Sequence, residues 1–412
     1  MLGSMPRGTN APMVGDYNQS LVLDKVRRAP AGLSQVEIIQ LTGLSKQTVS
    51  NITRRLSDDG WFRSLAATVT GRGKPRTPVQ INPGRLFAIG LHLDPSLVTA
   101  VILDLGGATV ASRSVVGLLN EHPSESINRI VDLVEEMIHR SGVERTMIAG
   151  VGVASPGPLD IPRGSLINPP KLDGWDGFNI TAALRDSFSY PVILDKDTLA
   201  AAIGECWARD NADGESLLFM YLGTGIGCAF ASNGTIVRGA THNAGEIGHI
   251  RSDTQGTLCF CGRRGCLGRA TDPYQLIEDA VVLGLVPSSS AALSYDGALR
   301  VLEELGEMAD EGIPGAVNLL TRAANAIAEA TRVLVSALDA SLVVFGGPFW
   351  SPLSKHYLSV IEAQLEAAPQ HAPPSPRIET TVMGNAAGAI GAASLVFDQE
   401  LSTRLSTYQI SI

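Results

Sequence analysis

The chain is 412 residues long, 44% hydrophobic and 18% charged, with a net charge of −9, which fits a globular protein with room for two or three cored domains. It has no run of about 18 apolar residues, which excludes a membrane-spanning helix. Its first twenty residues lack an apolar signal core, so a cytoplasmic location with reduced thiols is expected.

Residues 1–85 hold twelve Lys and Arg against five Asp and Glu, a net of +7, which leaves −16 for the remainder. A basic head on an acidic body points to a polyanionic partner for the head alone. After a flexible start over 1–14, the head is expected over 15–82. A first helix is predicted over Gln19–Arg28, ended by Ala29-Pro30. A second opens on Ser34-Gln-Val-Glu37, a capping box, and stops near Thr42-Gly43. A third opens on Ser45 as N-cap and runs to about Leu56. There Val49, Ile52 and Leu56 share one buried face. The other face carries Lys46, Gln47, Thr48, Ser50, Asn51, Arg54 and Arg55, polar and basic side chains suited to base edges and phosphates. Helix, glycine turn, polar helix is the helix-turn-helix plan. Two short β-prone runs then flank a basic Gly/Pro turn, Thr68–Pro78, which reads as a wing with Arg72, Lys74 and Arg76 at its tip. The expected partner is a double-stranded DNA operator.

From Phe87 the pattern changes to alternating apolar strand-like runs and amphipathic helices, an α/β body over 83–400 with ligands expected at strand carboxyl ends. Two lobes are expected, 83–198 with 385–400, and 199–384, followed by a tail over 401–412. Asp104–Thr109, "DLGGAT", lies between two strand-like runs and reads as a hairpin turn. Cys259, Cys261 and Cys266 follow His249 in the pattern C-x-C-G-x2-G-C. Three sulfurs and one nitrogen suit a closed tetrahedral zinc site of structural type, with Gly262 and Gly265 letting the loop fold its sulfurs inward. The other reading is a set of buried free thiols. Cys206 and Cys228 lack partners at motif spacing and read as core.

The runs "GVGVASPGPLD", "DKDTLAAAIGE", "LGTGIGCAF", "AGEIGH", "CFCGRRGC" and "VVFGG" occur in this order over residues 85–397. They resemble the ROK family, which groups sugar-responsive repressors with sugar kinases, and the head resembles its regulator branch. The resemblance implies a two-lobed actin/hexokinase-like α/β body behind a winged helix-turn-helix. It implies zinc on His249 and the three cysteines, and a sugar or sugar-derivative effector between the lobes. Effector contacts are implied at Gly157, Lys196, Asp197, Glu246 and His249. A homodimer or homotetramer is expected, because one head reads only a half-site.

The residues depart from the kinase pattern. Asp197 occupies the position of the kinase base, which takes the sugar hydroxyl's proton, but Lys196 stands where the family has Asn. The first phosphate loop, Asp-x-Gly-Gly-Thr in related kinases, reads Asp94-Pro-Ser-Leu-Val-Thr99 here, without a glycine. The second, Gly223–Gly227, is intact, and Gly346-Gly347 is compatible with a degenerate nucleotide site. Gly268 stands where the family has a sugar-binding Glu. Lys196 and Gly268 together raise the local positive potential, so an anionic sugar derivative is one expected effector. In the other reading Lys196 pairs with Asp195 or Asp197 and sugar binding is lost. The expectation is a regulator without catalysis, a repressor of carbohydrate-use genes. An active ATP-dependent sugar kinase with a DNA-binding head, or a regulator answering a protein partner, is the alternative.

Overall fold

A computed structural model describes residues 11–66, 77–117, 122–169, 171–209, 215–253, 256–259, 261–292, 294–366 and 375–401. The head contains α1 (Ala11–Arg27), α2 (Gln35–Thr42), α3 (Lys46–Asp58), β1 (Phe62–Ser64) and β2 (Val79–Ile81). Ser34 and Glu37 form both halves of a capping box, and Gly43 closes α2 in the left-handed region at φ 68°, where a side chain would be strained. Ser45 accepts from the Thr48 amide at the start of α3. Val49, Ile52 and Leu56 are buried as their spacing requires. The first helix begins at Ala11 rather than Gln19. Pro12 falls in its first turn, where a missing N–H costs no helical bond. β1 and β2 pair antiparallel, with Phe62 opposite Ile81, and so frame the segment expected to form the wing. Arg72, Lys74 and Arg76 lie outside the described residues.

The body begins with β3 (Phe87–Leu93), β4 (Leu97–Asp104) and β5 (Thr109–Val116), then α4 (Pro123–Ser141) and β6 (Ile148–Ser155). A small hairpin of β7 (Leu159–Asp160) and β8 (Ser165–Leu166) precedes α5 (Ile180–Phe188), β9 (Val192–Lys196) and α6 (Asp197–Ala208). The second half holds β10 (Ser216–Leu222), β11 (Ile226–Ser232), β12 (Thr235–Ile236), α7 (Leu267–Thr271), α8 (Pro273–Val282), α9 (Tyr295–Asp310) and α10 (Pro314–Leu338). It ends with β13 (Leu342–Gly346), α11 (Ser354–Glu366), β14 (Arg377–Thr380) and α12 (Ala387–Leu401).

Two five-stranded sheets result, ordered β5-β4-β3-β6-β9 and β12-β11-β10-β13-β14. Each runs an antiparallel hairpin into parallel strands, so the two lobes repeat one plan. "DLGGAT" is the β4–β5 turn, with the Ala108 amide donating to the Asp104 carboxylate. The lobe boundary expected at residue 198 falls inside α6, which packs against both sheets and along α12. A side chain at Gly391 would meet the Ala200 carbonyl at 2.1 Å, and one at Gly152 the Ala392 carbonyl at 1.8 Å. Only glycine lets α12 seat so closely on α6 and β6. The head shares a core with the first lobe: Val22, Leu23 and Val26 of α1 cluster with Val396 and Phe397 of α12.

Candidate functional site

The carboxyl ends of β3, β6, β9 and β10 converge on one cleft between the lobes. β3 delivers His92 and Asp94, β6 the Ser155–Pro158 turn, β9 Lys196, and β10 Tyr221 with the glycine turn behind it. The cavity holds about 240 Å³, with Asp94, Lys196, Asp197, Thr224, Glu246 and His249 among its walls. That is somewhat below the roughly 300–1,000 Å³ of sites for drug-sized ligands and gives room for a small molecule.

All five residues implied for the effector line this cavity. Lys196 is buried, and its Nζ lies 2.7 Å from Glu246 Oε1 while donating to the Ala244 carbonyl. The alternative in which Lys196 pairs with Asp195 or Asp197 gives way to this contact with Glu246. Asp195 is held by Arg238 at 3.1 Å, and the Lys196 charge is offset by Glu246, the residue expected to take sugar hydroxyls. A Cβ at Gly157 would lie 2.9 Å from Glu246 Oε1 and 3.3 Å from Lys196 Cε, so this glycine lets the loop press onto the pair.

Asp197 opens α6 and is buried. Burial pushes its carboxyl up to about 7, against the pull of the Lys196 charge and the Thr198 amide. Between pH 4 and 7 the folded chain thus holds a proton there that the unfolded chain has lost, and stability falls as pH rises through this window. Asp197→Asn removes that cost. It is expected to stabilise the fold by on the order of 3 kcal/mol at pH 8 and hardly at all at pH 4. Thermal melts across this pH range measure it, and an offset equal at both ends would count against it.

Asp94 proves to be a wall of the cavity. Its Oδ1 accepts from the Ser96 amide, and its Oδ2 lies 3.4 Å from both the amide and the hydroxyl of Thr224 in the second glycine turn. Asp94 thus joins the end of β3 to the second glycine turn across the cleft. Sequence reasoning missed three other residues. Lys171, in a left-handed backbone at φ 62°, reaches across the cleft mouth to Asp272 Oδ2 at 3.3 Å and to the Thr224 carbonyl. Tyr221 meets buried His92, OH to Nε2, at 3.1 Å. Asp272 lines the cavity four residues beyond Gly268, the one signal that could have marked it. Gly268 has a backbone reason of its own: its amide donates to the Gly248 carbonyl at 2.7 Å, and a Cβ would lie 3.1 Å from that oxygen.

Beside the cavity, His249, Cys259, Cys261 and Cys266 bring four ligand atoms within 4.8 Å of one another. Cys259 Sγ is 3.7 Å from His249 Nδ1, and Cys261 Sγ is 3.6 Å from Cys266 Sγ. A tetrahedron with metal–sulfur bonds of about 2.3 Å has edges near 3.7 Å, which the two close pairs match, so the cluster is a candidate site for one metal ion. Gly262 and Gly265 sit at φ 84° and 71°, and a Cβ at Gly265 would collide with the Asp253 carbonyl. Cys206 and Cys228 are buried elsewhere.

On the head, Lys46, Gln47, Asn51, Arg54 and Arg55 are exposed on α3, while Thr48 and Ser50 are half-buried. Thr48 serves the Ser45 cap. Asn51 Oδ1 accepts from both Gln47 Nε2 and Arg54 Nη2, which holds the three side chains as a set. The helix is about 20 Å long at 1.5 Å per residue, enough to lie along a major groove.

The ROK family profile matches residues 89–399. A Bacillus subtilis protein named xylose repressor is 21% identical over 94% of this chain and 97% of its own length. A Halalkalibacterium halodurans glucokinase is 30% identical over 76% of this chain and 96% of its own length. Among solved structures, a ROK family transcriptional regulator, a homologue of the Escherichia coli MLC protein, superposes with a TM-score of 0.73 over 95% of this chain and 97% of its own, at 19% identity.

Proposed function

The chain belongs to the ROK family, and from that premise we propose that it is a DNA-binding transcriptional regulator, a repressor of carbohydrate-use genes, released or engaged by a sugar or sugar derivative bound between its lobes. The observation that carries this reading is the head. The glucokinase accounts for 76% of the chain, whereas the regulator structure spans 95% of it. The ROK profile begins at residue 89, and the head before it holds α3 with its exposed Lys46, Gln47, Asn51 and Arg54. Operator half-sites would be read by two heads of a homodimer or homotetramer, with closure of the lobes changing their spacing.

The cavity would hold the effector by Gly157, Lys196, Asp197, Glu246 and His249. Zinc on His249, Cys259, Cys261 and Cys266 would be structural, fixing the wall that carries His249 and Gly268. The chain is read as a regulator and not an enzyme because the first phosphate loop, Asp94-Pro-Ser-Leu-Val-Thr99, lacks the glycines that let a backbone approach phosphate. The kinase reading draws on Asp197, a buried carboxyl placed where a sugar hydroxyl could give up its proton. ATP-dependent phosphorylation of any sugar, abolished by Asp197→Asn, would replace the present reading.

Lys196 should set the effector's charge. An anionic sugar derivative would take Lys196 from Glu246 and free that carboxylate for hydroxyls. Lys196→Asn is therefore expected to weaken binding of sugar acids or sugar phosphates at least tenfold while sparing the parent neutral sugars. Calorimetric titration with both sets measures it. Equal losses for acidic and neutral ligands would remove the charge-selecting role.

A further inference from the structure

The helix that opens in the cavity ends at the head. α6 starts with Asp197 and Thr198 in the cavity wall, and twelve residues later its last turn meets α1. Arg27 is 8% exposed. Its guanidinium lies 3.6 Å from the centre of the Trp207 ring, and Nη1 donates to the Trp207 carbonyl at 3.1 Å. Arg28 Nη1 donates to the Arg209 carbonyl at 3.0 Å. Asp24 holds both guanidinium groups in place. Two consecutive arginines of the head thus cap carbonyls that a helix end leaves without partners, where cations are also favoured by the helix dipole.

The same turn is tied in two further directions. Trp207 stacks on Phe397 of α12 at 5.7 Å and 21°, which joins it to the first lobe. The Arg209 side chain bridges Glu205 and Glu379 at 2.7 Å each, and Glu205, fully buried, accepts from Thr381 at 2.6 Å. Glu379 lies on β14, and Thr381 follows it, both in the second lobe. The end of α6 is therefore where head, first lobe and second lobe meet.

We infer that Arg27, Arg28 and Trp207 are positioning residues that fix the DNA-facing head to the end of the cavity helix, so that the head and first lobe turn as one body against which the second lobe pulls through Arg209. This assigns the regulation of the proposed site to one helix, and its regulatory meaning rests on that proposal. The attachment itself is independent of it.

The test uses the full-length protein without DNA or sugar. Spin labels on non-natural residues at Asp58 of the head and Glu125 of the first lobe, both exposed, report their separation by pulsed dipolar spectroscopy. With labelled chains diluted in unlabelled protein so that only the pair within one chain is read, the expected result is one narrow distance in the parent protein and a distribution at least twice as wide in Arg27→Met/Arg28→Met, with circular dichroism unchanged. Should that variant fail to fold, Trp207→Leu, which still fills space against Phe397, carries the same expectation. A broad parent distribution, or a folded variant that superimposes on the parent, overturns the inference. Failure to bind any DNA would sink the functional reading and leave this measurement standing.

Discussion

Replacing Cys266 with serine is expected to remove about one zinc per chain, lower the melting temperature by more than 10 °C and abolish binding in the cavity. With zinc bound, the thiolates would fix this loop more than any core does, since a structural zinc contributes roughly 10 kcal/mol of apparent binding energy to the segment it ties. The loss would spread because Leu267, next to the ligand, is fully buried in the second lobe's core with Ile247, while His249 and Gly268 are cavity walls. Cys228→Ser is the control. That thiol is buried away from the cluster, and burial holds it protonated, up to about 11. It should retain full zinc content. Metal analysis of the two variants separates a zinc centre from a set of buried thiols: if Cys266→Ser keeps its zinc, or the parent protein holds none, the four-ligand site is wrong.

The second large effect is expected on α3. Asn51→Ala and Arg54→Ala should each weaken operator binding roughly 10- to 100-fold, the ~1–3 kcal/mol carried by a good base-edge contact. They should do so mainly against the specific sequence. Substitution of Asn51 also frees Gln47 and Arg54, which share its oxygen, so the double variant should lose less than the sum of the two. Lys46→Ala should instead weaken all DNA uniformly and reduce the salt slope by about one. Titrations over a range of salt concentrations distinguish the two classes. Uniform, sequence-independent losses in all three variants would reduce α3 to a phosphate-binding helix.

Where a signal is local, the sequence carried it. The capping box at Ser34-Glu37, the Gly43 stop and the Ser45 cap each act within four residues, and all three helix ends lie where those signals put them. The cysteine cluster is almost as local, since its ligands fall within eighteen residues of chain. Long-range pairing was illegible for a different reason. Lys196 has acids on both sides in the chain, yet strand geometry aims it across the cleft to Glu246. Lys171 meets Asp272 only because two loops from different lobes face each other. Asp94 looked like the remnant of a lost phosphate loop, and its contact with Thr224 emerges only once β3 and β10 end side by side.

The claim that matters most is that the head reads a DNA sequence and that the cavity serves it. The most direct measurement is selection of genomic DNA fragments by the full-length protein, run in parallel with the Asn51→Ala/Arg54→Ala variant. The expected result is enrichment of one motif with twofold symmetry and half-sites about one or two helical turns apart, lost in the variant. No motif enriched by the parent protein, together with ATP-dependent phosphorylation of a sugar that requires Asp197, would contradict it.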